Sequence, residues 1–145
     1  MASIVVDASV CLKWFLADEA DRPSALALRE RIVIGETQPV APSHLPLEIA
    51  AGLIRAVRPG RPMEESVLPA LAALAQLELE FVDIALVTSE AARIAVELGT
   101  TPHDAAYVAV AEHAGAPLIT ADEALHTLAS AAGHNVVLLS ELPAA

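Results

Sequence analysis

Three observations predict an α/β chain: a three-layer α/β/α sandwich around a central, mostly parallel sheet of about five strands. Two short apolar runs, Ser3-Ile4-Val5-Val6 and Pro117-Leu118-Ile119-Thr120, have the length and β-branched content of strands buried on both faces. Between such runs lie segments whose apolar residues recur at helical spacing, as Leu45, Ile49, Leu53 and Val57 do. The connections from one strand to the next are long, as parallel pairing requires. With 145 residues there is enough chain for one well-filled core, so residues 1–145 read as a single domain.

The elements follow in order. After the first strand comes Asp7, then a helix from about Val10 to Ala17. A second helix spans about Arg22 to Ile34, with Asp21 in position to cap it and Gly35 to stop it. A short Pro39-Val40-Ala41 strand precedes the helix from Ser43 to about Val57, which Pro59-Gly60 closes. Pro62 opens the next helix through Leu68, Leu71, Leu74 and Leu77, and Pro69 inside it is expected to kink or restart it. A strand near Leu79–Val82 leads to a helix from about Thr88 to Leu98, ended by Gly99. A further helix runs from Pro102 to about Ala114 and ends at Gly115. The strand at 117–120 delivers Ala121-Asp122 to a helix reaching about Ala132, and Val136–Leu139 forms the last strand.

Composition narrows the function classes. The chain is 55% hydrophobic, which excludes intrinsic disorder. No apolar run approaches the length of a membrane span, and no basic, apolar and small-residue leader opens the chain, so neither a membrane protein nor a secreted one is expected. The single Cys11 has no partner for a disulfide, and the five histidines lack a second cysteine for a zinc site; a reducing cytoplasm is the expected compartment. A net charge of −11 argues against long-range attraction to nucleic acid or anionic lipid, so any nucleic-acid chemistry must be local.

Four acids stand apart from the others. Asp7 and Asp122 each follow a buried strand, where the ligand crevice of an open α/β sheet lies. Asp104 falls in the first turn of a helix, and Glu48 sits between Leu47 and Ile49 in a mostly apolar one. Each has an ordinary alternative: Asp7 and Asp122 can cap the helices they precede, Thr101-Pro102-His103-Asp104 fits a capping box, and a helix can turn one glutamate to water. The joint pattern is more specific, because these are the acids embedded in the most apolar segments, while Asp18, Glu19, Glu64, Glu65 and Glu78 lie in runs that look solvent-facing. Carboxylates about 6 Å apart repel by roughly 3 kcal/mol per pair at an effective dielectric near 20. Either some protonate or a hard divalent cation takes their oxygens, and an all-oxygen set favours Mg²⁺ or Mn²⁺ over Zn²⁺.

These residues carry a resemblance. Ile4-Val5-Val6-Asp7-Ala8-Ser9-Val10 with Lys13-Trp14-Phe15, then Pro46-Leu47-Glu48, then His103-Asp104-Ala105-Ala106-Tyr107-Val108-Ala109-Val110-Ala111, and finally Pro117-Leu118-Ile119-Thr120-Ala121-Asp122 with Leu125 form four blocks in order along essentially the whole chain. Together they resemble the PIN domain, and within it the VapC-type toxins of bacterial toxin–antitoxin modules. The resemblance implies a metal-dependent endoribonuclease with Asp7, Glu48, Asp104 and Asp122 as catalytic and metal-binding acids. It implies Ser9 and Thr120 as supporting hydroxyls, and one or two Mg²⁺ (or Mn²⁺) ions as cofactor. It also implies a cognate antitoxin that blocks the site. One departure is Ala51, where the family often has an asparagine three residues after the glutamate.

The chemistry expected is attack of water on an RNA phosphodiester, leaving a 5′-phosphate and a 3′-hydroxyl. Candidate RNA contacts are Lys13, Arg55, Arg58 and Arg61, although the three arginines can equally be a solvated helix end. Trp14, Tyr107 and Cys11 read as packing residues. The acidic rim suits an antitoxin with a basic segment, and helices in the N-terminal half are expected to bury surface in a homodimer. Two other classes remain open. A different Mg²⁺-dependent phosphohydrolase would typically carry a second aspartate at position 9 and a late lysine, whereas Ser9 stands there and no lysine follows Lys13. A non-catalytic module would use the acidic crevice only to bind a protein.

Overall fold

The structure is a computed structural model and describes residues 2–17, 19–57 and 63–144, with side chains from residue 66 in the last stretch. Five strands, β1 (Ala2–Val6), β2 (Thr37–Pro42), β3 (Glu80–Val82), β4 (Leu118–Thr120) and β5 (Val136–Leu138), form one sheet in the order β3-β2-β1-β4-β5. All four pairings are parallel, so the sheet expected to be mostly parallel is wholly so. Among the described residues seven α-helices connect the strands: α1 (Ala8–Phe15), α2 (Arg22–Val33), α3 (Leu45–Ala56), α4 (Met63–Ala75), α5 (Ile84–Leu98), α6 (Pro102–Ala114) and α7 (Glu123–Ala131). Chain order and strand order together determine the layers. From β1 the chain moves outward through β2 to β3, then returns across the sheet to β4 and β5 on the other side. Right-handed crossovers therefore put α1–α4 on one face and α5–α7 on the other. Their packing agrees: α1 touches α2 and α3, α3 touches α4, and α5 packs along α6, which covers β1 and β2.

The central strands are apolar because helices cover both of their faces. Val5, Val6 and Leu118 are fully buried, as are Leu45, Ile49 and Ile94 from the helices above and below. Burying each such side chain contributes roughly 1.5–3 kcal/mol. Trp14 belongs to this core, 2% exposed, with its indole nitrogen donating to the Ala25 carbonyl at 2.8 Å and so holding α1 against α2. Gly52 lets α1 and α3 approach, since a Cβ there would stand 2.7 Å from a Leu12 methyl. β2 is longer than the expected three residues. Pro39 is tolerated in it because β3 pairs only with Val40–Pro42, leaving Pro39 with a single neighbouring strand.

Three local expectations are corrected. Asp21 does not cap α2 through its side chain; it adopts a left-handed backbone, φ 59°, and the helix begins at Arg22-Pro23. The fifth helix starts at Ile84 rather than Thr88, because Asp83 caps it by accepting from the Ala85 amide at 2.9 Å and Ser43 accepts from the Ile84 amide at 3.0 Å. Pro69 does not restart α4, which runs unbroken past it; the proline is exposed, at a place where solvent can meet the carbonyl that its ring leaves without a helical donor. The Pro59-Gly60 stop and the Pro62 helix start lie outside the described residues.

Candidate functional site

β1 and β4 are neighbours, and each connects onward to an outer strand on opposite sides, so the topological switch point lies between them at their carboxyl ends. Asp7 ends one strand and Asp122 follows the other. Both also do the capping work available to them. Asp7 Oδ1 accepts from the Val10 amide at 3.2 Å and Asp122 Oδ1 from the Leu125 amide at 3.0 Å. Capping and a place in the crevice are therefore not alternatives, since the α1 and α7 N-termini point at the same crevice and their dipoles favour carboxylates there.

Asp7 is only 5% exposed, and two hydroxyls close around it. Ser9 Oγ donates to Oδ1 at 2.5 Å, and Thr120 Oγ1 donates to Oδ2. Each hydroxyl is itself tied to the β4–α7 turn: Ala121 N donates to Ser9 at 2.9 Å and Asp122 N to Thr120 at 3.1 Å. Ser9 and Thr120 thus fasten the first acid to the last. Burial pushes the Asp7 carboxyl up from 3.8 to about 6, with the Asp122 charge adding to it, although the two hydroxyls and the Val10 amide pull the other way. Among the described residues no lysine or arginine pairs with Asp7.

Asp104 stands at the third position of α6, half-buried. Thr101 caps the helix, accepting from the Asp104 amide at 3.2 Å, as the capping-box reading expected. The carboxylate itself takes a long contact from Thr100 Oγ1 at 3.5 Å, and the Thr101 and Thr100 side chains both favour its charged form. Burial raises its pKa, and the charges of Glu48 and Asp122 raise it further. Glu48, on α3, is held differently. Tyr107 Oη donates to its Oε1 at 2.5 Å, and His44 Nε2 stands 2.9 Å from the same oxygen. Burial raises the Glu48 pKa, but the hydrogen bonds from His44 and Tyr107 and the charges of His44 and His103 outweigh it, so the net direction is down. Tyr107 is pushed far up by burial first and by Glu48 second, which keeps its hydroxyl a donor.

The four acids are therefore linked electrostatically: the charges of Glu48 and Asp122 both act on Asp104, and that of Asp122 acts on Asp7 as well. No lysine or arginine among the described residues pairs with any of them. Among the described residues no three His, Cys, Asp or Glu side chains already stand at ligand spacing around one point. The arrangement is an open acidic crevice and not a closed cage. It suits Mg²⁺ or Mn²⁺ on donor chemistry, because every candidate donor is oxygen and Mg²⁺ keeps several waters while taking only one or two carboxylates directly. Burial first and neighbouring carboxylates second raise the pKa values of Asp7 and Asp104, and a bound divalent cation would favour the charged form of both.

The basic residues are less uniform. Lys13 lies in the last turn of α1, is 9% exposed and pairs with Glu19 at 3.6 Å. Arg55 is exposed at the end of α3. Arg58 and Arg61 lie outside the described residues. Cys11 is buried with its thiol pKa pushed up by burial, as a packing residue should be. Tyr107 is a packing residue by its ring, yet its hydroxyl reaches the site, and sequence reasoning passed over that role. It also passed over His44, for which a signal existed: His44 and Glu48 are four apart at the start of a helix, the spacing at which side chains meet.

Comparison with known proteins agrees with this geometry. Among solved structures, the chain is similar to PAE2754 from Pyrobaculum aerophilum, with a TM-score of 0.69 at 22% identity, covering 96% of this chain and 85% of that one. It is similar to VapC20 of Mycobacterium tuberculosis, a toxin that cleaves the sarcin–ricin loop, with a TM-score of 0.61 at 19% identity over 90% of this chain and 95% of that one. It is also similar to VapBC2 from Rickettsia felis, solved with a DNA fragment of its promoter, with a TM-score of 0.62 at 13% identity over 94% and 96%. No curated protein matches in a sequence search. These likenesses establish the fold, and the family model of the PIN domain matches residues 4–131, spanning all four acids. The chain belongs to the PIN domain family.

Proposed function

We propose that this single-domain chain is a metal-dependent endoribonuclease acting in the cytoplasm as the toxin of a toxin–antitoxin pair. The observation that carries this reading is the chain of acids at the switch point, whose negative charge no described lysine or arginine offsets. Family membership and the fold shared with VapC20 and VapBC2 support it. Asp7, Asp104 and Asp122 are the residues to hold one or two Mg²⁺ or Mn²⁺ ions, directly or through water, and Glu48 serves as ligand or base. A divalent cation, when bound, neutralises charge growing on the phosphoryl oxygens and acidifies water. Ser9 and Thr120 keep both Asp7 oxygens in place; Glu48 takes a proton from the attacking water. The water oxygen would bond to phosphorus as the bond to the 3′-oxygen breaks and that oxygen takes a proton from solvent, leaving a 3′-hydroxyl and a 5′-phosphate, with no cyclic phosphate because the 2′-hydroxyl does not attack.

RNA approaches a surface of net charge −11, so local contacts must hold it, and Arg55 is the exposed candidate with a described position. The partner that fits the acidic rim is an antitoxin with an arginine-bearing segment. Homodimerisation is supported by an apolar groove of about 380 Å³ between α3 and α4, lined by Pro46, Leu47, Leu71 and Phe81, with Leu47 77% exposed. Incubating the partner-free protein with mixed RNA and Mg²⁺, Mn²⁺ or EDTA tests the function. Fragments bearing 5′-phosphates that appear only with metal are expected. An inert protein that still binds a basic partner tightly would move the conclusion to a non-catalytic binding module.

A further inference from the structure

Glu48 has no polar neighbour on its own helix one turn further on, because Ala51 stands there. Its orientation comes from elsewhere. We infer that His44 and Tyr107 are the positioning pair for Glu48, gripping Oε1 from two elements so that only Oε2 is presented to the acidic crevice. The inference rests on the proposed function and deepens it.

Both donors converge on one oxygen, at 2.5 Å from the tyrosine hydroxyl and 2.9 Å from the imidazole, and Oε2 has no hydrogen-bond partner among the described residues. The two donors reach Glu48 from different directions. His44 lies in the β2–α3 turn immediately before the helix that carries the glutamate, whereas Tyr107 belongs to α6, three residues after Asp104. The grip therefore sets the α3 acid relative to the α6 acid, the two whose charges act on each other. Residues three apart on a helix share a face, so a single rigid turn of α6 delivers both Asp104 and the hydroxyl that orients its neighbour.

The state of the His44 ring follows from its surroundings. Nε2 faces two acceptors, Glu48 Oε1 and the His103 carbonyl at 3.2 Å, so it carries a hydrogen. Nδ1 is buried without a partner among the described residues. A ring serving only to fill space has no reason to bury an unsatisfied nitrogen, which an apolar side chain would avoid. Packing against Tyr107, with ring centroids 5.1 Å apart, keeps both donors together.

Two readouts test this. The first is a double-mutant cycle in thermal unfolding of the metal-free protein, combining Tyr107→Phe or His44→Ala with Glu48→Ala, which removes the acceptor. The second is Mn²⁺ affinity by electron paramagnetic resonance for the same variants. Each single change at 44 or 107 is expected to weaken Mn²⁺ binding about tenfold when Glu48 is present and by less than about twofold when it is Ala. His44→Gln, which returns a donor at the same reach, is expected to recover most of the loss. Unchanged Mn²⁺ affinity in Tyr107→Phe and His44→Ala, equal losses with and without Glu48, or an unfolding cycle with no coupling would each overturn the inference. A wild-type protein with no Mn²⁺ affinity would instead overturn the proposed function, and this inference with it.

Discussion

Replacing Asp7 by Asn is expected to abolish RNA cleavage while making the metal-free protein more stable at pH 8. The loss of activity should be at least ~100-fold, because the substitution removes a charge that can hold cation at the centre of the crevice. The gain in stability follows from burial. A carboxyl whose pKa rises from 3.8 unfolded to about 6 folded favours the folded state when protonated, and ionising it there costs roughly 3 kcal/mol. That cost is absent below about pH 4, grows as pH rises through 6, and is complete above about pH 7. Asparagine keeps an acceptor for the Val10 amide and carries no charge to bury. Thermal unfolding across pH 4 to 8 should therefore show the variant several degrees more stable at the alkaline end, with the two proteins converging at the acid end. A variant less stable than wild type at pH 8 would mean that the Ser9 and Thr120 hydroxyls outweigh burial.

Asp104→Asn and Thr101→Ala separate a residue of the site from a residue of the helix cap, three positions apart on one turn. The cap belongs to Thr101, whose hydroxyl accepts from the Asp104 amide, so its loss should cost about 1 kcal/mol of stability and leave cleavage within about threefold. Burial and the charges of Glu48 and Asp122 push the Asp104 carboxyl up and outweigh the Thr101 and Thr100 side chains that favour its charge, so its neutralisation should leave stability unchanged or slightly raised. Cleavage should fall ~100-fold or more. Unfolding by urea alongside rates on one RNA substrate measures both effects. A large stability loss with preserved cleavage in Asp104→Asn would make that acid a member of the capping box and not of the site.

The opposed effects expected for Asp7 have a common physical source. An acidic crevice ready for a divalent cation is, without the cation, a set of like charges held partly out of water. The fold carries this cost at the carboxyl ends of β1 and β4, where two helix N-termini and two hydroxyls reduce it without removing it. Stability is lower at this site than an apolar filling would allow, as is usual where function sets the residues.

Most of this arrangement is legible in the chain. β1 and β4 are recognisable because their apolar runs are short, β-branched and bounded by acids, and Gly99 and Gly115 mark two helix ends by needing a left-handed backbone, φ 71° and 63°. The start of α5 was not legible, because Ile84-Ala85-Leu86-Val87 continues the apolar character of the preceding strand and its cap depends on Ser43, forty-one residues away. Asp21 had the residue type of a cap but not its backbone, since a left-handed φ turns the side chain away from the helix amides. At the site, spacing identified the acids but not what holds them. The Tyr107 hydroxyl meets Glu48 across fifty-nine residues, and only packing α6 beside α3 brings them together.

The most direct test of a shared cation site is Mn²⁺ binding to the wild-type protein and to Asp7→Asn, Glu48→Gln, Asp104→Asn and Asp122→Asn, measured without RNA. One or two ions per chain should bind to the wild type, and each variant should lose affinity for the same ions, with the metal-induced rise in melting temperature lost in parallel. Wild-type affinity retained in all four variants would show that these carboxylates do not hold the cation together, and the account of this site would fail.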